Sequence, residues 1–194
     1  MDTDYWVVRA DSERDQWRYV AHRTIGPLSF GMDRDDAVSA MAGHGFTAEQ
    51  RDMGKWHLSG WSEWCVEFSK PESHQRWSAS HPHRPAVKCY FIDDTGLTCV
   101  LVDGLVGPQV THEGIRLIGR VPSELAQEME AFADEHDTGI TFSPGGDMIV
   151  SGFKIELGAQ RAGDVVVTWA VFFNTGKIAG SSYDIVPTEA WRHW

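Results

Sequence analysis

Three histidines, His74, His81 and His83, fall within a proline-rich, polar stretch that runs from Lys70 to Pro85. Imidazoles at alternate positions can share a metal ion, and Cys65 or Cys89 would complete a tetrahedral set. A metal-dependent hydrolase using His81 and His83 is one reading of this stretch. The plainer reading is a loop inserted over 70–85 whose histidines are solvated, because no carboxylate or cysteine motif stands at ligand spacing. Nucleophilic chemistry has weaker support: there is no Gly-x-Ser-x-Gly elbow, and Cys65, between Trp64 and Val66, reads as buried. Ser143-Pro144-Gly145-Gly146-Asp147 lacks the lysine and the spacing of a phosphate loop and reads as a hairpin turn. Asp93 and Asp94 have the chemistry of an acid and a base, but directly before Thr95-Gly96 they are turn residues first. No catalytic residue, metal ligand or cofactor is assigned.

Acidic residues carry the stronger signal. The 194 residues include 28 acidic and 17 basic side chains, a formal net charge of -11. Residues 1–88 and 154–194 are close to balance, whereas 89–153 hold eleven acidic groups against Arg116 and Arg120. Between Arg120 and Lys154 there is no lysine or arginine, while Glu124, Glu128, Glu130, Asp134, Glu135, Asp137 and Asp147 all fall there. Such a field repels phosphate backbones, which argues against nucleic acid as a direct partner, and it speeds association with a basic protein. The alternative is a solvated helix face that serves solubility alone. The expected docking set is Glu128, Glu130, Asp134, Glu135, Asp137 and Asp147, with Asp93 and Asp94. Tryptophans are abundant, and Trp61, before the histidine-bearing loop, and Trp77, within it, are the candidate aromatic anchors.

The elements that position these groups are legible from periodicity and turn chemistry. Helices are expected from about Arg34 to Met41, stopped by Gly43-His44-Gly45, and from about Pro122 to His136, with Leu125, Met129, Phe132 and Ala133 on one stripe. Strands are expected over Lys55 to Ser69, Ala86 to Ile92, Gly96 to Asp103, Ile140 to Phe142, Met148 to Leu157 and Val165 to Asn174. A further hairpin is expected between Tyr5 to Ala10 and Trp17 to His22. An offset of 88 residues pairs Gly26 with Gly114, Gly31 with Gly119, Asp36 with Glu124 and Met41 with Met129, the mark of an internal duplication. The expected fold is therefore α+β: two pseudo-repeats, each a short helix packed on an antiparallel β-sheet. The division is an N-terminal lobe over 1–104, a C-terminal lobe over 105–180 and a tail over 181–194. The odd number of cysteines, three, suits a reducing compartment. The acidic opening Met1-Asp2-Thr3-Asp4 lacks the pattern of a secretory leader, and the run Val165 to Phe173 is too short to span a bilayer. A cytoplasmic protein without membrane contact is the expectation.

Phe30-Gly31-Met32-Asp33-Arg34, with an apolar residue before the glycine and a helix after it, resembles the repeat opening of the β-lactamase inhibitory proteins. The second copy departs from that pattern with Gly119-Arg120-Val121-Pro122. That family is also a tandem of helix-on-sheet units that presents a surface to an enzyme. The acidic, tryptophan-rich, two-lobed pattern is similar in type to the immunity proteins of bacterial polymorphic-toxin systems, such as the immunity factor of the tuberculosis necrotizing toxin, an NAD glycohydrolase. The resemblance implies an antitoxin that binds the catalytic domain of a cognate toxin, an NAD glycohydrolase or a nuclease, one to one and blocks its cleft without chemistry of its own. The readings left beside it are the metal-dependent hydrolase and a non-catalytic scaffold or ligand-binding protein.

Overall fold

The computed structural model describes residues 6–55, 62–70, 84–143 and 145–174. After a 3-10 turn at Asp11–Glu13 the chain forms β1 (Gln16–Val20), β2 (Thr24–Ile25), β3 (Leu28–Ser29), α1 (Arg34–Ala42), β4 (Thr47–Lys55), β5 (Ser62–Ser69), β6 (Val87–Ile92) and β7 (Gly96–Val102). It continues through β8 (Gln109–His112), β9 (Ile115–Arg116), α2 (Pro122–Glu135), β10 (Ile140–Phe142), β11 (Met148–Val150), β12 (Ile155–Ala162) and β13 (Val165–Phe173). The class is α+β. Eight strands form one antiparallel sheet in the order β10-β11-β12-β13-β7-β6-β5-β4, and five short strands form a second in the order β3-β2-β1-β8-β9. In the large sheet the strands of 96–102 and 165–173 meet at the centre, pairing Ala170 with Val102 and Phe173 with Cys99.

The two helices begin for different local reasons. Pro122 occupies the first turn of α2, where its missing N–H leaves no hydrogen bond unmade. Leu125, Met129, Phe132 and Ala133 then line one buried stripe, as their spacing requires. α1 buries only Ala37 and Met41, and ends at Gly43-His44-Gly45, where Gly45 takes a φ of 80° and Phe46 N–H returns to Met41 O at 3.1 Å. The approach to each helix is held by the same pair of hydrogen bonds. Gly31 N–H donates to Leu97 O at 2.8 Å and Leu97 N–H to Met32 O at 2.9 Å; Gly119 N–H donates to Thr168 O at 2.9 Å and Thr168 N–H to Arg120 O at 3.0 Å.

One face of the large sheet, both helices and the small sheet share a single core that includes Tyr19, Leu28, Met41, Phe68, Val100, Leu125, Met129 and Phe172. Full burial of each such aliphatic or aromatic side chain stabilises by about 1.5–3 kcal/mol. Side chains that alternate to the other face of β7 and β13 form a second cluster of Cys99, Leu101, Trp169 and Val171. Where the chain passes from β7 to β8, buried Arg14 donates to the carbonyls of Gly104, Leu105 and Gly107 at 2.8, 3.0 and 2.5 Å. Asp103 completes this junction. Its Oδ1 accepts from Leu105 and Val106 N–H at 2.8 and 3.0 Å, and its Oδ2 from Arg84 Nε at 2.9 Å and Gln160 Nε2 at 3.3 Å.

Two expectations are corrected, and one strand that the sequence reading did not include is added. Residues 6–10 form no strand, and β1 pairs instead with β2 antiparallel and with β8 parallel. Thr47–Lys55 is a full edge strand against β5, although its polar composition carries no buried-strand pattern. The run Met148 to Leu157 is broken by a turn at 151–154, in which Lys154 takes a φ of 54° and Ser151 N–H turns back to Gly139 O. Residues 71–83 of the expected loop, and the expected tail over 181–194, lie outside the described residues. No helix among the described residues is long and apolar enough to cross a membrane.

Candidate functional site: an acidic cleft at the start of the first helix

Gly31, at a φ of 85°, turns the chain out of the small sheet and into α1, and the two hydrogen bonds to Leu97 seat this turn on the beginning of β7. Gly96 makes the approach possible. A Cβ there would collide with the Gly31 carbonyl and lie 2.7 Å from Met32 O, and its φ of 75° disfavours any side chain. The first turn of α1 and the β6–β7 turn are thereby brought side by side. Between them opens a cleft of about 350 Å³ lined by Asp33, Arg34, Asp35, Asp36, Trp64, Phe91, Ile92, Asp93, Asp94 and Gly96.

The cleft has an acidic rim on an aromatic wall. Asp33, Asp35, Asp36, Asp93 and Asp94 are all exposed. Arg34 is the cation among them, and its guanidinium carbon lies 4.1 Å from the centre of the Trp64 ring. Its Nε is buried and makes no hydrogen bond among the described residues. The three carboxylates at the helix start are favoured by the positive end of the helix dipole. Asp94, at a φ of 65°, sits where a tight hairpin demands the left-handed conformation that aspartate tolerates. Each acid thus has a local structural cause, and together they give the cleft a negative field suited to a lysine or arginine side chain.

The second acidic surface is α2, and it divides. Helical spacing sets Glu124, Glu128 and Glu135 on one flank of the buried stripe and Glu130 and Asp134 on the other side. Glu128 is engaged within the chain: Arg120 Nη2 donates to its Oε1 at 2.6 Å, and this bond holds its carboxyl below the usual carboxylate range. Arg120 also stands 3.9 Å from Glu124. Glu130, Asp134 and Glu135 are exposed and form no ion pair among the described residues. Asp137 belongs to the turn that ends the helix, at a φ of 49°.

Asp147 is half-buried, and its role is local. Ser143 Oγ donates to its Oδ2 at 3.1 Å and accepts from its N–H at 3.1 Å, closing the β10–β11 hairpin, while burial pushes its carboxyl up. Trp61, Trp77, His74, His81 and His83 lie outside the described residues. Among those described, no group of three or more His, Cys, Asp and Glu is placed to hold a metal ion. The three cysteines are buried, and burial raises the Cys89 and Cys99 thiols above the ordinary range, so neither supplies a thiolate at neutral pH.

Of the docking residues expected from sequence, the fold brings Asp93 and Asp94 together with Asp33, Asp35 and Asp36, and places the acids of α2 on a separate surface. Asp33, Arg34, Asp35, Asp36 and Trp64 were missed as site residues. The signal for the first four was the run Asp33-Arg34-Asp35-Asp36, which lies in a part of the chain whose net charge is nearly balanced. Compared with protein-family models, curated proteins and solved structures, the chain has no match.

Proposed function

We propose that this chain is a non-catalytic binding protein of the immunity type, which docks one to one in the cytoplasm on the basic catalytic domain of a toxin and obstructs its substrate cleft. The observation that carries this reading is the cleft itself. Five exposed carboxylates from two separate turns surround a groove, and the cation within it, Arg34, is drawn onto Trp64. A partner's lysine or arginine entering the groove meets uncompensated negative charge and an apolar floor of Phe91 and Ile92. Glu130, Asp134 and Glu135 on α2 add a longer-range field that raises the encounter rate. A toxin whose cleft binds NAD or a nucleic acid is basic and fits this surface.

The finer reading of the fold belongs to the same proposal: the chain is two copies of one unit, a hairpin, a helix and four antiparallel strands. Support comes from the 88-residue offset. It relates Gly31 to Gly119, both at positive φ, Arg34 to Pro122 as first helical residues, and Met41 to Met129, both fully buried. It also relates the carbonyls of Met32 and Arg120, which accept from Leu97 and Thr168.

The test is co-purification and enzyme inhibition with toxin catalytic domains encoded beside this chain, measured at low and high salt. The expected result is a 1:1 complex that is enzymatically silent, weakened by salt, and weakened further by Asp93→Lys with Asp94→Lys. Inhibition that is indifferent to salt and to both substitutions removes the cleft from the interface. Absence of any complex with these toxins overturns the immunity reading.

A further inference from the structure

His112, the last residue of β8, is 2% exposed, and its imidazole is walled by aromatic rings. Ring centroids stand at 5.3 Å for Tyr19, 5.5 Å for Phe132 and 4.9 Å for Phe153. These rings come from three elements: β1, α2 and the turn between β11 and β12. Phe132 and Phe153 also hold the ring of His136, the residue that closes α2, at 4.0 and 5.8 Å. The 151–154 turn is tied into the same place. Tyr19 Oη donates to Phe153 O at 2.7 Å, Gly152 N–H donates to Thr138 Oγ1 at 3.0 Å, and His22 Nε2 lies 3.1 Å from Gly152 O.

The polar accounting of His112 favours a neutral ring. Its Nδ1 lies 3.4 Å from Tyr19 O, while its Nε2 is buried with no hydrogen-bond partner among the described residues. A neutral imidazole that donates from Nδ1 leaves only a lone pair facing the rings. An imidazolium would set a second N–H and a full charge there. The ionisable groups nearest it are Tyr19 on β1, with Arg18 on the opposite side of that strand acting from a distance, His136 at the end of α2 and Glu113 beside it in its own hairpin; the 151–154 turn meets it with Phe153. Desolvation holds the ring below the ordinary histidine range, opposed by Tyr19 O and Glu113 and reinforced by His136 and Arg18.

We propose that His112 is the sensor of a pH-responsive joint, and that its protonation in mildly acidic solution releases the C-terminal end of α2 together with the 151–154 turn. Above the ordinary histidine pKa of about 6.5 the ring is neutral in both the closed and the open state, so the joint is closed. As pH falls toward the lower value of the closed state, only the open form takes up a proton. The open-to-closed ratio then rises by up to about tenfold per pH unit.

Hydrogen–deuterium exchange of the full chain, corrected for intrinsic pH dependence, tests this by comparing residues 130–138 and 150–155 with β6 and β7 as internal reference. Moving from about pH 7.5 to about pH 5.5 crosses the ordinary histidine value. The expected result is opening of those two segments increased by up to about tenfold relative to the reference, absent in His112→Phe and retained in His136→Gln. A response that persists in His112→Phe, or a wild-type chain that shows none, overturns the proposal. The NMR titration of the His112 ring in the wild-type protein decides independently of any variant: a midpoint at or above the ordinary histidine value overturns it, and one below supports it.

Discussion

Arg34 sits over the ring of Trp64, its guanidinium carbon 4.1 Å from the ring centre, and so the cation of the acidic cleft is withdrawn from the five carboxylates around it. This contact is worth about 0.5–1 kcal/mol at a partly exposed site. Trp64→Leu is expected to lower stability by about that amount in urea denaturation, beyond the loss of packing, and to free Arg34 to approach the aspartates. A basic partner should then bind more weakly. Unchanged partner affinity in a folded Trp64→Leu protein would show that the stacked arginine is not what keeps the cleft negative.

Charge reversal should discriminate between the acidic residues. Asp93→Lys with Asp94→Lys is expected to reduce affinity for the proposed basic partner by about tenfold or more at low salt, mostly through slower association, with a smaller effect at high salt. Glu128→Lys should do less for binding, because Arg120 already compensates this carboxylate, and it should destabilise α2 through the clash with Arg120. Stopped-flow association at two ionic strengths checks the ordering. A larger loss from Glu128 than from the Asp93 and Asp94 pair would move the interface to α2.

Asp103 is a costly polar position to lose. It is 7% exposed and satisfies two backbone N–H groups, Arg84 and Gln160 at the passage from β7 to β8. Asp103→Ala removes the carboxylate from a buried ion pair with Arg84 and the acceptor from two buried amides, and is expected to cost about 3–5 kcal/mol in urea denaturation. Asp103→Asn keeps an acceptor for the amides and should cost distinctly less. Equal losses would mean that the charge of Asp103, rather than its hydrogen bonds, holds the junction.

Asp147 gives a pH prediction of the opposite sense to a salt-bridged carboxylate. Burial raises its folded-state pKa above the unfolded value of 3.8, so its contribution to stability is fully present below that pH and is lost as pH rises through the folded value. Asp147→Asn, which still accepts from Ser143 Oγ, is therefore expected to raise Tm at neutral pH and to leave it unchanged below about pH 3.8. Thermal melts at both pH values check this, and a lower Tm for the variant at neutral pH contradicts it.

Gly96→Ala should be among the most damaging small substitutions. The new methyl group would strike the Gly31 carbonyl at a backbone φ of 75°, displacing the first turn of α1 from β7. A loss of about 1–3 kcal/mol is expected, together with opening of the acidic cleft. The counterpart Gly45→Ala has a φ of 80° but meets nothing within 4 Å, so it carries only the conformational penalty. Comparing the two separates steric closure from backbone strain.

Much of the framework was legible from the chain alone. The starts of both helices at Arg34 and Pro122, the buried stripe of α2 and the hairpin turns at Asp93-Asp94, Gly145-Gly146 and Gly163 follow from periodicity and turn chemistry, which act between near neighbours. The polar edge strand Thr47–Lys55 was not legible, because strand pairing on β5 rather than residue preference makes it a strand. The parallel pairing of β1 with β8 was hidden for the same reason.

The sequence by itself determined the α+β class, the acid excess, the helix of 122–135 and the 88-residue echo of glycines, since each is a matter of composition, periodicity or spacing. Only the tertiary structure decided which acids act together. A charge count along the chain set Asp33, Asp35 and Asp36 in a balanced segment and Asp93 and Asp94 in an acidic one. The hydrogen bonds of Gly31 and Met32 to Leu97 join the two turns into one cleft. Conversely, Arg120 removes Glu128 from the exposed field, and Ser143 folds Asp147 into a hairpin. Electrostatic fields add over distances in space, and the distances that matter here are set by long-range contacts that no local pattern encodes.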